Sequence, residues 1–248
     1  MILMYHHVCP LQKVPPANQQ QSIEGWSYTV DPEQFRHQLC QLADRGMEFV
    51  SMEEYVLCCG EGRVKPGTVT VTFDDGWEDN FDYAVPILHS LGIPATVFVV
   101  SGELVTVPDT RRMNSAQLRT LADMGITVGG HSRSHGNLTR LSGLELNQEL
   151  SGCKQELEQV TGKPVDFFAY PGGRFNQAVV AATKEAGYKA ACSVIGGGRN
   201  GKDSLFWLFR ETFSTSMNSL RDKLFLNHNA RKLLDIRAKR KLKKIIHS

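Results

Sequence analysis

The 248-residue sequence lacks several features that would place it in a specialised class of protein. No segment approaches the roughly 18 consecutive apolar residues that cross a membrane, and the strongest apolar run, 93–100, has the length of a strand. The first residues, MILMYHHV, contain neither a basic segment nor a long apolar one, so we expect no signal peptide. The six cysteines show no C-x-x-C spacing, which predicts free thiols in a reducing compartment.

The sequence does contain a regular alternation of short apolar segments and amphipathic segments. Strands are predicted over 1–5, 47–50, 68–73, 95–100, 126–130, 165–169 and 189–194. Helices are predicted from Asp31-Pro32 onward and over 79–91, 114–124, 144–160 and 176–186. Because the strands are apolar on both faces, this alternation predicts a mostly parallel sheet with helices outside it. The Pro- and Gln-rich segment 9–30 is predicted to form a rim or lid.

Polar residues that can bind a metal follow four of the predicted strands. They are His6 and His7 after the first strand, Asp74 and Asp75 after 68–73, His131 and His135 after 126–130, and Tyr170–Gly173 after 165–169. In parallel α/β folds, functional side chains collect where the carboxyl ends of the strands meet the following loops. We therefore expect these residues to form one site.

The segment HSRSH, 131–135, places two histidines four residues apart. If it turns helically, both imidazoles share a face and can bind one cation. One carboxylate of the Asp74–Asp75 pair would complete a site with open positions, which favours catalysis over a structural role. The other carboxylate would diverge from the metal and act as a general base toward water. The alternative is that one aspartate only caps the next helix.

The turn YPGG, 170–173, suits a close approach of backbone to a ligand. A backbone N–H in this turn could stabilise a tetrahedral oxyanion. A simple turn without a function is the alternative interpretation.

Three segments, TFDDG at 72–76, HSRSH at 131–135 and FAYPGG at 168–173, resemble in order and spacing the polysaccharide deacetylases of the NodB-homology type, carbohydrate esterase family 4. The resemblance extends from the first residue to about residue 213. It implies an α/β fold, a distorted (β/α) barrel of about seven parallel strands in a single domain. It also implies a divalent metal, commonly zinc, and hydrolytic removal of N-acetyl groups from amino sugars.

The resemblance also implies roles for individual residues. Asp74 would be the base, the backbone N–H of Gly172 would lie in the oxyanion hole, and the metal ligands would be Asp75, His131 and His135. The start of the chain, with its Y-H-x-V pattern, resembles the branch that acts on poly-N-acetylglucosamine, which places His6 near the site.

Two departures from the family pattern affect these roles. Many members have an arginine at the position of Ala169, where it orients the base, and we expect Arg210 to replace it from a later strand. Many members also end in an L-x-L-x-H strand that supplies a general acid. Here only FLNH, 225–228, is comparable, so the proton donor is His228, His6 or metal-bound water.

We therefore predict a metal-dependent hydrolase that removes N-acetyl or N-formyl groups from an amino-sugar glycan or a lipid-linked saccharide. One alternative is a degenerate, non-catalytic carbohydrate-binding relative. Another is an iron oxygenase with two histidines and a carboxylate, although such enzymes mostly have all-β scaffolds.

Positive charge is concentrated at the carboxyl end of the chain. Residues 230–248 contain eight Lys or Arg and one acid, for a net charge of +7, and the deacetylase-like domain, 1–229, has a net charge of −5. The tail is predicted to form a basic amphipathic helix with an apolar face made of Leu234, Ala238, Leu242, Ile245 and Ile246.

Such a helix can bind an anionic membrane surface, which predicts a cytoplasmic protein at the inner face of the membrane. A solvated helix, or one packed on the acidic body, is the alternative. Nucleic acid is disfavoured as a partner because the tail has no aromatic residues for base stacking.

Overall fold

A computed structural model describes residues 1–14, 26–104, 112–213 and 228–246. The predicted rim therefore lies partly outside the described residues, as do residues 225–227 of the FLNH segment. The described residues contain eight strands: β1 (Ile2–Tyr5), β2 (Glu48–Phe49), β3 (Thr68–Phe73), β4 (Ala95–Val99), β5 (Thr127–Gly130), β6 (Phe167–Ala169), β7 (Ala190–Cys192) and β8 (Arg210–Thr212).

Seven of these strands form a nearly closed barrel. They follow the order β7-β6-β5-β4-β3-β1-β8, every neighbouring pair is parallel, and β2 pairs only with β3. A parallel bridge between Cys192 and Leu208 brings the chain just before β8 alongside β7. This confirms the distorted (β/α) barrel of about seven parallel strands in one domain.

Helices surround the barrel: α1 (Pro32–Ala43), α2 (Met52–Gly60), α3 (Val85–Leu91), α4 (Ser115–Asp123), α5 (Gly143–Asn147), α6 (Cys153–Thr161), α7 (Gln177–Glu185) and α8 (His228–Ile246). The Asp31 carboxylate caps α1 as predicted, accepting the N–H of Glu33 at 3.0 Å. Two predicted helices differ in detail, since π-helical turns over Asn80–Ala84 and Gln148–Gly152 interrupt regular α geometry.

Alternate residues of the strands pack into two separate apolar clusters. The inner cluster fills the barrel and includes Ile2, Phe98 and Phe167. The outer cluster lies between strands and helices and includes their chain neighbours Leu3 and Val97. Burial of both strand faces explains why most residues of the strands are apolar.

The six cysteines are all free, as the spacing predicted. Among the described residues, no helix is both long enough and apolar enough to cross a membrane.

The apolar face of α8 packs on the body of the protein. Ala238 and Leu242 are buried in the outer cluster, and Asp235 accepts the backbone N–H of Arg199 at 2.9 Å. The basic side chains on the other side stay exposed, namely Arg237, Lys239, Arg240, Lys241, Lys243 and Lys244. The packed arrangement is one of the alternatives left open for the tail, and it leaves a helix surface that is cationic rather than amphipathic.

Candidate active site

Asp75, His131 and His135 converge at the carboxyl end of the barrel, where β3 and β5 end. Oδ1 of Asp75 lies 3.4 Å from Nε2 of His131 and 3.2 Å from Nε2 of His135. The three potential ligand atoms all lie within 4.8 Å of one another. The positions of these residues, directly after their strands, predicted that they would lie close together.

The donor set fits a divalent cation. Nδ1 of His131 lies 2.7 Å from the carbonyl oxygen of Ala169, so Nδ1 must carry the proton and Nε2 keeps its lone pair for a metal. Burial raises the pKa of Asp75, but its close contacts with the His131 and His135 rings outweigh burial and hold the pKa well below its usual value. An ionised carboxylate and two imidazole nitrogens are typical ligands of zinc.

The two imidazoles of HSRSH were expected to share a face if the segment turned helically. The segment is not helical, so that expectation is corrected. Ser132 and His135 have φ angles of 63° and 58°, and the two imidazole centroids still lie 5.0 Å apart. Asp75 has a φ of 74°, and these three are the only non-glycine residues with positive φ in the described parts of the chain. Backbone strain of this kind clusters at functional sites, where the surrounding structure imposes it.

Side-chain acceptors hold this strained loop in place. Oγ of Ser132 accepts the N–H of His135 at 3.0 Å. Oε2 of Glu149 accepts the N–H groups of Arg133 and Ser134 at 2.9 and 3.0 Å. Sequence reasoning missed Glu149, because it lies in a helical segment with no motif and no fixed spacing to the loop.

Asp74 is not part of the cluster, and it pairs with Arg210 inside the barrel. The guanidinium donates to both carboxylate oxygens, at 2.6 Å to Oδ1 and 2.7 Å to Oδ2, and its Nε donates to the carbonyl of Ser193 at 2.8 Å. Both side chains are almost completely buried. The structure thus places Arg210 where it can replace the arginine that the family pattern has at the position of Ala169.

The Asp74–Arg210 pair controls the charge of Asp74. Burial raises the pKa of this carboxyl, but the adjacent guanidinium more than offsets burial, so the pKa is lowered from its ordinary value. Asp74 is therefore ionised at neutral pH and able to accept a proton.

Replacing Arg210 with methionine should lower the free energy of unfolding by about 3–5 kcal/mol at pH 7, since it leaves a buried carboxylate unpaired. Urea unfolding measures this effect. The double variant Asp74→Asn with Arg210→Met should recover part of the loss, because no uncompensated charge then remains.

This effect should depend on pH. A carboxyl with a lowered pKa stabilises the folded state above its unfolded-state pKa of about 4, and this stabilisation is lost as the pH falls through the lowered value. In Arg210→Met burial acts on Asp74 without the guanidinium and raises its pKa, so the stability difference should begin to shrink as the pH falls through that raised pKa, and it should go on shrinking down to the lowered pKa of the wild type. A difference that stays constant down to pH 2 would contradict the assigned pair.

His6 follows β1 and lies beside the two aspartates. Its ring stacks on Tyr28 with centroids 5.0 Å apart, and its buried Nδ1 has no hydrogen-bond partner among the described residues. The side-chain amide of Asn80 donates to the carbonyl of His6 at 2.8 Å. Burial lowers the pKa of His6, while the nearby carboxylates of Asp74 and Asp75 act in the opposite direction.

The predicted oxyanion turn begins directly beside the cluster, since the Ala169 carbonyl that binds His131 precedes it. Gly172 and Gly173 both have positive φ, at 57° and 66°. A Cβ on Gly173 would lie 2.1 Å from Cγ2 of Val194, so this position requires glycine. The hydrogen bonds that close the turn are donated by Gly173 and Arg174, which leaves the Gly172 N–H outside them.

The chain belongs to the polysaccharide deacetylase family, whose profile matches residues 61–191. It is 25% identical over 219 residues to YxkH of Bacillus subtilis strain 168, whose name places it among the polysaccharide deacetylases. It is also 25% identical over 179 residues to the poly-β-1,6-N-acetyl-D-glucosamine N-deacetylase of Staphylococcus aureus strain MRSA252. These alignments cover 88% and 68% of this chain.

The chain spans 72% of the length of YxkH and 62% of the length of the staphylococcal enzyme. Among solved structures, the deacetylase PplD of Streptococcus pyogenes, in complex with acetate, superposes with a TM-score of 0.75 at 24% identity. That superposition covers 91% of this chain and 97% of PplD, and it supports the same fold. The family membership and the fold confirm the resemblance found in the three sequence segments.

Proposed function

We propose that this protein is a metal-dependent N-deacetylase that hydrolyses acyl-amide bonds on an amino-sugar glycan. The observation that carries the proposal is the cluster of Asp75, His131 and His135 next to an ionised Asp74 that is not part of it. A base separated from a set of metal ligands is the arrangement that amide hydrolysis needs. The parallel barrel also argues against the iron-oxygenase alternative, whose members mostly have all-β scaffolds.

Each residue of the site has a separate role in the proposed reaction. Asp75, His131 and His135 would hold a divalent cation, which supplies a Lewis acid that lowers the pKa of water and polarises an acyl oxygen. Asp74 accepts a proton from the attacking water, and Arg210 keeps the carboxylate ionised and oriented. The water oxygen bonds to the acyl carbon and the C–N bond breaks. The acyl group is released as a carboxylate, and the sugar nitrogen, once it has received a proton, remains on the glycan as an amine.

The Gly172 N–H is proposed to donate to the oxyanion that forms on the acyl carbon. A crystal structure with bound acetate should place one carboxylate oxygen about 2.7–3.1 Å from the nitrogen of Gly172. Acetate bound at the cluster with neither oxygen near this nitrogen would contradict the role.

His6 is proposed to deliver the proton to the leaving amine. Its buried Nδ1 is without a partner among the described residues, which supports a role toward a ligand. The His6→Phe variant keeps a ring against Tyr28 but loses both nitrogens, so turnover should fall by about 10²–10⁴-fold with metal content unchanged. Steady-state acetate release and elemental analysis measure the two quantities, and unchanged turnover would assign the proton donor elsewhere.

The substrate is proposed to be an N-acetylated glucosamine polymer or a lipid-linked saccharide of the same sugar, since a relative is named for action on poly-β-1,6-N-acetyl-D-glucosamine. The experiment is a screen of acetate and formate release from N-acetylated and N-formylated glucosamine oligomers, free and lipid-linked. Release of either acid supports a deacylase and identifies the acyl group. Binding of the oligomers without release of either acid would favour the non-catalytic carbohydrate-binding alternative.

The exposed basic side chains of α8 are proposed to hold the protein on an anionic membrane surface, at the cytoplasmic face. Each Lys or Arg near such a surface contributes about 1 kcal/mol, reduced by salt. The buried apolar face of α8 means that charge, and not insertion, would carry this binding.

Reversing two of these charges, Arg240→Glu with Lys244→Glu, should weaken binding to anionic liposomes by about 30-fold or more at low salt. Co-sedimentation with anionic and neutral liposomes is the measurement. The matched control, Arg119→Glu with Lys163→Glu, makes the same change in charge at exposed positions outside α8 and should bind as the wild type does. Equal binding by both double variants would refute the membrane role of α8.

A further inference from the structure

Trp77 contacts the second oxygen of the carboxylate that is proposed to bind the metal. Its indole Nε1–H donates to Oδ2 of Asp75 at 3.0 Å, while Oδ1 of the same carboxylate faces His131 and His135. Trp77 is 6% exposed and Asp75 is 3% exposed, so little water competes for this hydrogen bond. Because the indole N–H is bound to Oδ2 of Asp75, Oδ1 is the carboxylate oxygen that is directed at the two histidines.

The indole ring is itself held by two neighbours. The guanidinium of Arg112 lies 4.1 Å from the ring centroid and also donates to the backbone carbonyl of Asp75. The ring of His7 stacks on Trp77 with centroids 4.5 Å apart, and Nδ1 of His7 lies 2.5 Å from a carboxylate oxygen of Asp79. These contacts restrain both the indole and the left-handed backbone of Asp75.

We infer that Trp77 is a positioning residue of the metal centre, which orients Asp75 so that Oδ1 faces the two histidines. This inference rests on the proposed metal site and extends it to a group that acts through Asp75. Hydrogen bonds that orient a metal ligand typically change metal affinity by about 10–100-fold. The inference assigns the effect on metal affinity to the indole N–H, and not only to the bulk of the ring.

The test compares Trp77→Phe, which keeps a stacked ring but loses the N–H, with Trp77→Leu, which loses both. Zinc dissociation constants are measured by competition with a chelating dye on the full chain. Both variants should bind zinc about 10–100-fold more weakly than the wild type. Trp26→Phe is the matched control, because Trp26 also stacks on His7, at 4.0 Å, and should leave zinc affinity unchanged.

A second measurement separates positioning from loss of folding. The visible absorption of the cobalt-loaded protein reports ligand geometry, and it should change in Trp77→Phe but not in Trp26→Phe. Thermal unfolding of the metal-free variants shows whether each is folded. Wild-type zinc affinity and an unchanged cobalt spectrum in Trp77→Phe would overturn the inference and leave the metal site intact, whereas a wild type that binds no zinc would overturn the metal site itself.

Discussion

Replacing Asp74 with asparagine should lower turnover by about 10²–10⁴-fold and leave the bound metal in place. The physical reason is that the substitution removes only the proton acceptor, since Asp74 is outside the cluster formed by Asp75, His131 and His135. Asparagine also keeps one oxygen that can accept from Arg210, so the buried guanidinium retains a partner. Acetate release and elemental analysis of the purified variant measure the two effects.

The control for this prediction is Asp166→Asn, which changes another carboxylate paired with a cation. Asp166 lies 2.7 Å from Nζ of Lys189, away from the cluster, and its replacement should leave turnover unchanged. If Asp74→Asn lost metal and turnover together, the division between a base and a ligand would be wrong.

Replacing His135 with alanine should abolish stoichiometric metal binding and, with it, turnover. Nε2 of His135 is one of the three ligand atoms that the described residues bring together in the cluster, and its loss leaves two. Asp75→Asn should also weaken metal binding, because an amide oxygen is a poorer ligand than an ionised carboxylate. Elemental analysis after gel filtration is the measurement, with His89→Ala as an exposed-histidine control that should retain full occupancy.

Full metal occupancy in His135→Ala would contradict the ligand assignment. Retention of turnover in the same variant would contradict the proposed chemistry independently, since the reaction would then proceed without a complete set of ligands.

The sequence predicted the barrel well because its strands are buried on both faces. Segments such as TVTVTF, 68–73, and ATVFVV, 95–100, are rich in β-branched and aromatic residues and therefore conspicuous, and the structure has strands at nearly the same bounds. β8 was not given bounds from its pattern, because its three residues, RET, have no apolar periodicity. It becomes a strand through pairing with β1, which is a tertiary effect.

The positions of the cluster residues were predictable, but the conformations that join them were not. Functional side chains follow the carboxyl ends of the strands in such folds, and this rule predicted that Asp75, His131 and His135 lie close together. Positive φ at non-glycine residues has no local sequence signal, since it exists only where restraints such as those from Glu149 impose it.

Contacts between distant parts of the chain were the least accessible from sequence. Arg210 and Asp74 are 136 residues apart, and only the missing arginine at Ala169 pointed to their pairing. Trp77 lies two residues after Asp75, yet the direction of its N–H depends on the left-handed conformation of Asp75, which the sequence did not reveal.

Acetate release by the full chain, stripped of metal with a chelator and then resupplied with zinc alone, tests the central claim most directly. On β-1,6-linked N-acetylglucosamine oligomers, the proposed chemistry predicts that stripping abolishes release, and that zinc restores it in the wild type but not in His135→Ala. Undiminished acetate release by the metal-free wild type would contradict the claim that Asp75, His131 and His135 serve amide hydrolysis as metal ligands.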